Sequence, residues 1–165
     1  MMNIDIYTDG ASKGNPGQAG YGYIILINDT KYYYSFGVDY ATNNQMELQA
    51  VIKALYYTYK QIINYKSISD SDIVINVYSD SRYVCDAFNK NWLSKWIKED
   101  FTKIKNPDLW RKLHLLLSSV GLVNRKINFI WIRGHSGNEY NEEADSLAQM
   151  ACGHEGIVMQ GYNKI

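Results

Sequence analysis

The chain has 165 residues, 46% of them hydrophobic, which suits one domain with a real core. Its 17 basic and 17 acidic residues leave no net charge, so any affinity for nucleic acid requires a local patch. Cys85 and Cys152 are too few and too far apart for a disulfide framework or a zinc site. With no signal peptide and no apolar run long enough for a transmembrane helix, we expect a soluble cytoplasmic protein without a membrane partner.

The first half of the chain alternates between strand patterns and a strong helical pattern. Its predicted elements are, in chain order, a strand at 3–8 that ends at Asp9, a turn-bearing loop at 10–20, two strands at 21–27 and 31–38 that form a hairpin, and a helix that begins after Thr42. Apolar residues at a 3.6-residue period carry this helix to Ile63. Thr42, Asn43 and Asn44 offer side-chain oxygens to cap it.

The second half begins with a β-branched strand and ends with a short apolar helix. Its predicted elements are a strand at 73–78, a helix capped by Ser79 or Ser81, an irregular insert, a helix that starts at Pro107, a strand at 127–132 and a last helix at 141–152. The sequence therefore predicts an α/β fold, a single domain over residues 1–152 with an insert at about 89–106. Residues 153–165 read as a loose tail.

Four acidic residues lie near the ends of predicted elements. Asp9 and Asp80 each follow a strand, and Glu47 and Asp145 lie near the start of a helix. Taken one at a time, such acids usually cap turns or complement helix dipoles. In open α/β sheets, however, ligands collect beyond strand ends. All four acids converge there if the two strands are neighbours and both helices pack on that end.

The strings around these acids are TDGASKGNPG, TNNQMELQA, YSDSRYV and GHSGNEYNEEADSLA. In their order and spacing they resemble type 1 ribonuclease H, from about Ile4 to Cys152. The resemblance implies the ribonuclease H-like fold, a five-stranded mixed sheet flanked by helices. It also implies an endoribonuclease that hydrolyses the RNA strand of RNA–DNA hybrids and leaves 5′-phosphate and 3′-hydroxyl ends.

The same resemblance implies a two-metal site held by Asp9, Glu47, Asp80 and Asp145. Two Mg²⁺ ions are expected there, with Mn²⁺ as a possible substitute, because hard divalent cations prefer carboxylate and water oxygens. Asp9 would bridge the two ions, Asp145 would hold the one that carries the attacking water, and the other two acids would hold the leaving-group ion. His135, between two glycines, matches the family's mobile loop histidine, for proton transfer or product release.

Substrate recognition is expected from short polar groups and from the insert. RNA is distinguished by its 2′-hydroxyl in a shallow minor groove, which small side chains reach. The polar candidates are Ser12, Asn15, Thr42, Asn43, Asn44, Gln45 and Asn106. Turn formation and helix capping account for several of them equally well. The insert resembles the family's basic handle: residues 89–112 hold seven basic and three acidic residues, a net charge of +4.

Within this handle, Trp92, Lys95, Trp96 and Lys98 are candidates for the DNA strand, although a solvated helix over packed tryptophans explains the pattern too. Many family members have an arginine two residues before the threonine that matches Thr42. This chain has Tyr40 there, so either the DNA grip is weaker or Arg82 or a lysine compensates.

Three other functions compete with an active hybrid nuclease. They are a catalytically silent hybrid-binding module, another nuclease or polynucleotidyl transferase on the same fold, and a domain cut from a reverse transcriptase. The complete set of acids with His135 argues against the first. The GNPG and TNNQMEL strings and the basic insert argue against the second. The initiating methionine favours a free-standing protein, which we expect to be a monomer.

Overall fold

A computed structural model describes residues 2–64, 69 and 72–165. Within these residues, six strands form one mixed sheet in the order β5-β4-β1-β2-β3-β6. The strands are β1 (Met2–Lys13), β2 (Gly17–Ile27), β3 (Thr30–Ala41), β4 (Ile73–Ser79), β5 (Lys126–Trp131) and β6 (Gly156–Lys164). The helices are α1 (Asn43–Ile62), α2 (Arg82–Asn89), α3 (Trp92–Lys98), α4 (Pro107–Leu117) and α5 (Glu139–Ala151). None of them combines the length and the apolarity that crossing a membrane demands.

The central strand β1 pairs in antiparallel fashion with β2 and in parallel fashion with β4. The parallel register matches Ile6 to Val77 and Tyr7 to Tyr78. Since parallel strands run in the same direction, Asp9 and Asp80 emerge side by side beyond this register. The topology therefore satisfies the condition under which the acids of these two strands meet.

The alternation predicted for the first strand is confirmed by the two faces of the sheet. Ile4 and Ile6 are fully buried in the main core, which also contains Leu48 of α1. Tyr7 points to the opposite face, where it packs with Ala144 of α5. Helices therefore cover the sheet on both sides of β1, and each helix carries one of the candidate acids toward the same edge.

The predicted end of the first strand was wrong, because β1 runs on to Lys13 and the predicted loop is mostly strand. Gly10 pairs with Tyr21, and a tight turn at residues 14–16 with a cis Asn15–Pro16 bond leads into β2. Of the glycines that suggested a loop, Gly14 lies in this turn, whereas Gly10, Gly17 and Gly20 lie in strands. At Gly10 and Gly20 a helix packs directly against the strand backbone.

The predicted loose tail is also wrong, and with it the count of five strands. Residues 156–164 form β6, which pairs in antiparallel fashion with β3 and pairs Tyr162 with Tyr32. Without β6, β3 would present a long row of unpaired backbone groups at the sheet edge. Three glycines after Cys152 hid a strand whose remaining residues include Ile157, Val158 and Met159.

The insert between α2 and α4 is a short helix anchored by aromatic residues. Trp110 of α4 is fully buried, and Trp96 of α3 packs edge-on against it with ring centroids 5.0 Å apart. Phe101, just beyond α3, is also buried. The aromatic residues of this segment pack in or against the main core and hold its basic residues in place at the surface.

Candidate active site

Asp9 and Glu47 are brought together by the close approach of α1 to β1. Gly10 lies directly under the helix, since a Cβ atom there would be 2.5 Å from the backbone nitrogen of Glu47. The Gly10 amide also donates a hydrogen bond to Asp9 Oδ1 (2.8 Å). The start of α1 is fixed by a capping box in which Thr42 Oγ1 accepts from the Gln45 amide and Gln45 Oε1 accepts from the Thr42 amide.

Asp80 follows β4 and is held from the β5 side. The Trp131 indole donates a hydrogen bond to the Asp80 carbonyl oxygen (3.0 Å). Arg82 lies over the same indole, with its guanidinium carbon 3.9 Å from the ring centroid. Ser81 caps the next helix through the Val84 amide. These contacts fix the backbone of Asp80 while its carboxylate remains half-buried.

Asp145 comes from α5, which lies flat on the sheet because β2 has a glycine beneath it. A Cβ atom at Gly22 would be 2.6 Å from the Cβ atom of Leu147. Ala144 and Ala148 are fully buried on the same side of the helix. Small residues on both surfaces therefore bring α5 near enough for Asp145 to reach the cleft where β4 ends and its pairing with β1 stops.

The acids line one open cleft of about 500 Å³. Asp9, Glu47 and Asp80 each offer a carboxylate oxygen, and these oxygens lie within 4.8 Å of one another. Asp145 lines the same cleft but lies outside this tight group. Glu47 Oε2 is buried and has no hydrogen-bond partner among the described residues. A buried carboxylate oxygen without a partner is costly unless a ligand completes its coordination.

The electrostatics of the cleft are those of crowded acids. Burial, and then the charges of Asp80 and Asp145, raise the pKa of Asp9 to about 8. Burial and the charge of Asp9 raise the pKa of Glu47 well above its usual value. Burial and Asp145 also raise the pKa of Asp80, while His135 opposes this rise. The cluster therefore holds protons at neutral pH unless cations compensate its charge.

His135 lies on the exposed turn after β5, beside Asp80. Its backbone is left-handed, with φ at 55°, and the turn is closed by a hydrogen bond from Ser136 Oγ to the Arg133 carbonyl oxygen (2.6 Å). His135 does not line the cleft as the acids do, but its charge acts on the pKa of Asp80. It therefore stands at the rim, between the acids and solvent.

Polar residues of β1 and α1 form the opposite wall of the cleft. Ser12, Asn43 and Asn44 line it together with the acids. The Ser12 hydroxyl donates to Asn43 Oδ1 (3.0 Å), and the Asn43 amide donates to Asn15 Oδ1 (3.0 Å). Asn15 thus positions the start of α1, while the other three present polar atoms to the cleft.

A second groove of about 490 Å³, here called the Tyr40 groove, lies between the end of β3, the start of α1 and the start of α4. Tyr40, Gln45, Gln49, Asn106 and Asp108 contribute its polar lining. Lysine, arginine and histidine are absent from this lining in the described part of the chain. The groove therefore combines hydrogen-bonding groups with an acid and offers no cation.

The handle candidates Trp92, Lys95, Trp96 and Lys98 lie on α3 and line neither the cleft nor the Tyr40 groove. Trp92 is 42% exposed, whereas Trp96 is partly buried against Trp110. Both tryptophans were predicted to contact the DNA strand, but they differ in burial.

Arg82 and Tyr83 are among the cleft residues that were not predicted as site residues. Arg82, considered only as a substitute for the missing arginine, lines the cleft itself. Tyr83 lines it too, and its hydroxyl accepts hydrogen bonds from Asn106 Nδ2 and Trp110 Nε1 (both 3.0 Å). Tyr83 thereby connects the cleft to the Tyr40 groove and to the base of the handle. Their position in YSDSRYV, just after Asp80, was the available signal.

Known proteins with similar sequences and folds share this arrangement of elements. Residues 2–153 match the RNase H family. A ribonuclease HI from Helicobacter pylori is 41% identical over 150 residues, which are 91% of this chain and 93% of that protein. A ribonuclease H from Trichodesmium erythraeum is 42% identical over 153 residues, or 90% and 87% of the two chains. The crystal structure of LC11-RNase H1 in complex with RNA/DNA hybrid is 27% identical in sequence, with a TM-score of 0.64, and the match covers 90% of this chain and 96% of that chain.

Proposed function

The chain belongs to the ribonuclease H family, and we propose that the cleft between Asp9, Glu47, Asp80 and Asp145 is the site where it hydrolyses the RNA strand of RNA–DNA hybrids. It is a ribonuclease H, an endonucleolytic hydrolase. The observation that supports this site best is the group of three carboxylate oxygens within 4.8 Å of one another. Such a group serves no packing purpose, and its charge disfavours a nucleic acid unless cations are bound.

The four acids fit divalent cations, and we assign them as ligands of two Mg²⁺ ions, with Mn²⁺ as a possible substitute. Hard oxygen donors are the donors that these ions prefer. The unpartnered Glu47 Oε2 and the raised pKa values of Asp9 and Glu47 both describe a site that is incomplete without positive charge. When bound, such ions polarise a phosphodiester and lower the pKa of water.

The protein's own groups then hold and orient the scissile bond. Asp9 interacts with all three other acids, through a side-chain hydrogen bond with Glu47 and through the charges of Asp80 and Asp145 that raise its pKa. His135 at the rim is assigned to proton exchange between the cleft and solvent and to product release, since its exposed imidazole lies near Asp80. Hydrolysis at this site leaves a 5′-phosphate and a 3′-hydroxyl.

We assign recognition of the RNA strand to the polar wall of the cleft. Ser12, Asn43 and Asn44 lie beside the acids, within reach of a 2′-hydroxyl in a wide minor groove. Asn15 supports this wall through the Asn43 amide. Thr42 acts mainly by fixing the start of α1, and its partner Gln45 also faces the Tyr40 groove.

We assign the DNA strand to the side of the molecule formed by the Tyr40 groove and the handle of residues 89–106. Asn106 lines this groove and is tied to the cleft through Tyr83. Trp92, Lys95 and Lys98 present an exposed aromatic ring and two exposed cations on α3, whereas Trp96 anchors the helix. The monomeric state and the cytoplasmic location remain predictions from the sequence.

The proposal is tested by giving the protein labelled RNA–DNA hybrid, RNA duplex and DNA duplex, each with Mg²⁺, with Mn²⁺ and with EDTA. We expect cleavage of the RNA strand of the hybrid alone, abolished by EDTA. End analysis should show 5′-phosphates. Cleavage that persists in EDTA would rule out the metal assignment, and equal cleavage of RNA duplex would rule out recognition of a hybrid.

A further inference from the structure

Beyond the Tyr40 groove, α1 and α4 enclose another groove of about 530 Å³, here called the Lys53 groove. Gln49 lines both grooves, so they adjoin along α1. Tyr21 and Phe36 are part of the Lys53 groove's apolar lining, and Lys53 of α1 and Lys112 of α4 bring positive charge to it. Positive charge that is missing from the first groove is therefore present in the next.

The two lysines are exposed and are not used elsewhere in the fold. Neither Lys53 nor Lys112 forms an ion pair within 4.0 Å in the described residues, whereas Lys90 pairs with Asp86 and Arg111 with Asp108. Lys53 Nζ lies 5.7 Å from the ring centroid of the buried Tyr34. That contact positions the ammonium group at the groove while leaving it accessible. Two such cations on facing helices that line one groove form a surface to which an anion can bind.

The dimensions favour a polyanion that crosses both grooves. Gln45 and Lys53 are separated by eight residues of α1, or about 12 Å at 1.5 Å per residue. A nucleic-acid strand carries one charge per ~3.4 Å of helix axis, so it covers this distance in about three to four nucleotides. A small anion would occupy the Lys53 groove alone and leave the polar, cation-free Tyr40 groove unexplained.

We infer that Lys53 and Lys112 bind phosphates of the DNA strand a few nucleotides beyond the Tyr40 groove and supply the cationic grip that this groove lacks. The inference rests on the proposed function, because it needs a hybrid whose DNA strand lies on this side of α1. It also distinguishes between the two ways of compensating for Tyr40. Arg82 stacks on Trp131 in the carboxylate cleft, so its charge serves that cleft.

The test compares a double variant, Lys53→Gln with Lys112→Gln, with a control of equal charge, Lys126→Gln with Lys164→Gln. The control lysines are exposed on the two outer strands of the sheet, β5 and β6. Binding of fluorescein-labelled hybrid is measured in EDTA over a range of salt concentrations. We expect the double variant to bind roughly tenfold more weakly and to lose about two units of salt slope, while the control follows the wild type. A second double variant, Lys53→Arg with Lys112→Arg, keeps the positive charges and should show the affinity and the salt slope of the wild type.

A second measurement identifies the strand. Single neutral methylphosphonates are placed along the DNA strand or along the RNA strand of the hybrid. For wild-type protein, one or two DNA positions should weaken binding, and these positions should lose their effect in the double variant. Sensitivity on the RNA strand instead, or binding of the double variant equal to that of the control, would overturn the inference. If the lysines bind the DNA strand but wild-type protein fails to cleave hybrid, the proposed function fails and the anion site stands.

Discussion

The carboxylate cleft and the handle differ in how they hold their charged side chains. In the cleft, three carboxylates from two strands and a helix are packed within 4.8 Å, two of them buried, and the helices reach them over glycines that leave no room for a Cβ atom. In the handle, the charges are exposed on a seven-residue helix, and only its aromatic base is buried. Chemistry requires exact positions, whereas attraction of a polyanion requires only charge at the right distance.

This difference predicts that changes in the cleft are large and specific, and that changes in the handle are small and graded. The largest effect is expected for Asp9→Asn, which should lower the rate of hybrid cleavage by about 10³-fold or more, since cation chemistry contributes several kcal/mol. Asp5→Asn is the matched control, since Asp5 lies on the same strand, half-buried, and bonds to Asn76 outside the cleft. Cleavage rates measured with Mg²⁺ should separate the two variants. Equal loss in both would mean that strand β1, not the carboxylate, is what matters.

Within the handle, we expect Trp96 to contribute mainly to folding stability and Trp92 mainly to hybrid binding. Trp96→Ala removes an edge-on contact with the buried Trp110 and should cost about 2–3 kcal/mol of unfolding free energy. Trp92 is 42% exposed, so Trp92→Ala should cost at most about 0.5 kcal/mol of stability while weakening hybrid binding about tenfold. Urea unfolding and hybrid titration measure the two quantities. Similar stability losses would show that both rings are structural.

The crowding of the cleft should also appear in the stability of the metal-free protein. The pKa of Asp9 is about 8 in the fold, whereas an unperturbed aspartate has a pKa of 3.8, so the folded state binds more protons than the unfolded state between these values. Folding stability contributed by this group is therefore complete at low pH and is lost as pH rises toward 8. Asp9→Asn removes this loss, and in EDTA its gain over wild type should grow from near zero at pH 4 to about 1–3 kcal/mol at pH 8.

At this chain length each kcal/mol shifts Tm by about 2–4 °C, so the pH series is measurable by thermal unfolding. Mg²⁺ should raise the Tm of the wild type at pH 8 and have less effect on Asp9→Asn. If the difference in Tm between the two proteins is constant across the pH range, folding does not raise the pKa of Asp9.

The sequence predicted the cleft better than its surroundings, for reasons that particular residues make plain. Acids just beyond the paired part of two parallel strands and near helix starts converge wherever the topology is regular, and Asp9, Glu47 and Asp80 do so. The glycines at 10 and 20 led to the wrong prediction of a loop, because a glycine required by a helix packing above it has the same signature as one in a loop. The strand β6 was missed because its stability comes from pairing with β3, whose partner residues lie from 119 (Gly37 and Gly156) to 134 (Thr30 and Lys164) positions earlier in the chain.

The sequence also did not show which basic side chains form ion pairs in the fold. The net charge of +4 over residues 89–112 is correct as a sum, but Lys95 lies 4.0 Å from Glu99 and Arg111 is shared by Asp100 and Asp108. Lys53 and Lys112, which stand on two different helices outside any basic run, face one groove only in three dimensions. Counting charges along the chain therefore overstates some cations and overlooks others.

The smallest effect should come from single handle lysines, and it sharpens the comparison most. Lys98 has no ion pair within 4.0 Å in the described ranges, so Lys98→Ala should flatten the salt dependence of hybrid binding by about one unit and weaken binding a few-fold. Lys95 shares its charge with Glu99, so Lys95→Ala should change the slope less. Glu99→Gln frees that lysine and should steepen the slope.

These three slopes, measured in EDTA, separate handle electrostatics from the cleft, since removing the cations leaves the lysines unchanged. Cleavage at saturating hybrid with Mg²⁺ should vary little among the three variants, because exposed charges on α3 lie outside the carboxylate cleft. A large change in the saturated rate from Lys98→Ala would mean that the handle also sets the position of the scissile bond. In that case α3 would contribute to catalysis in the cleft as well as to attraction of the hybrid.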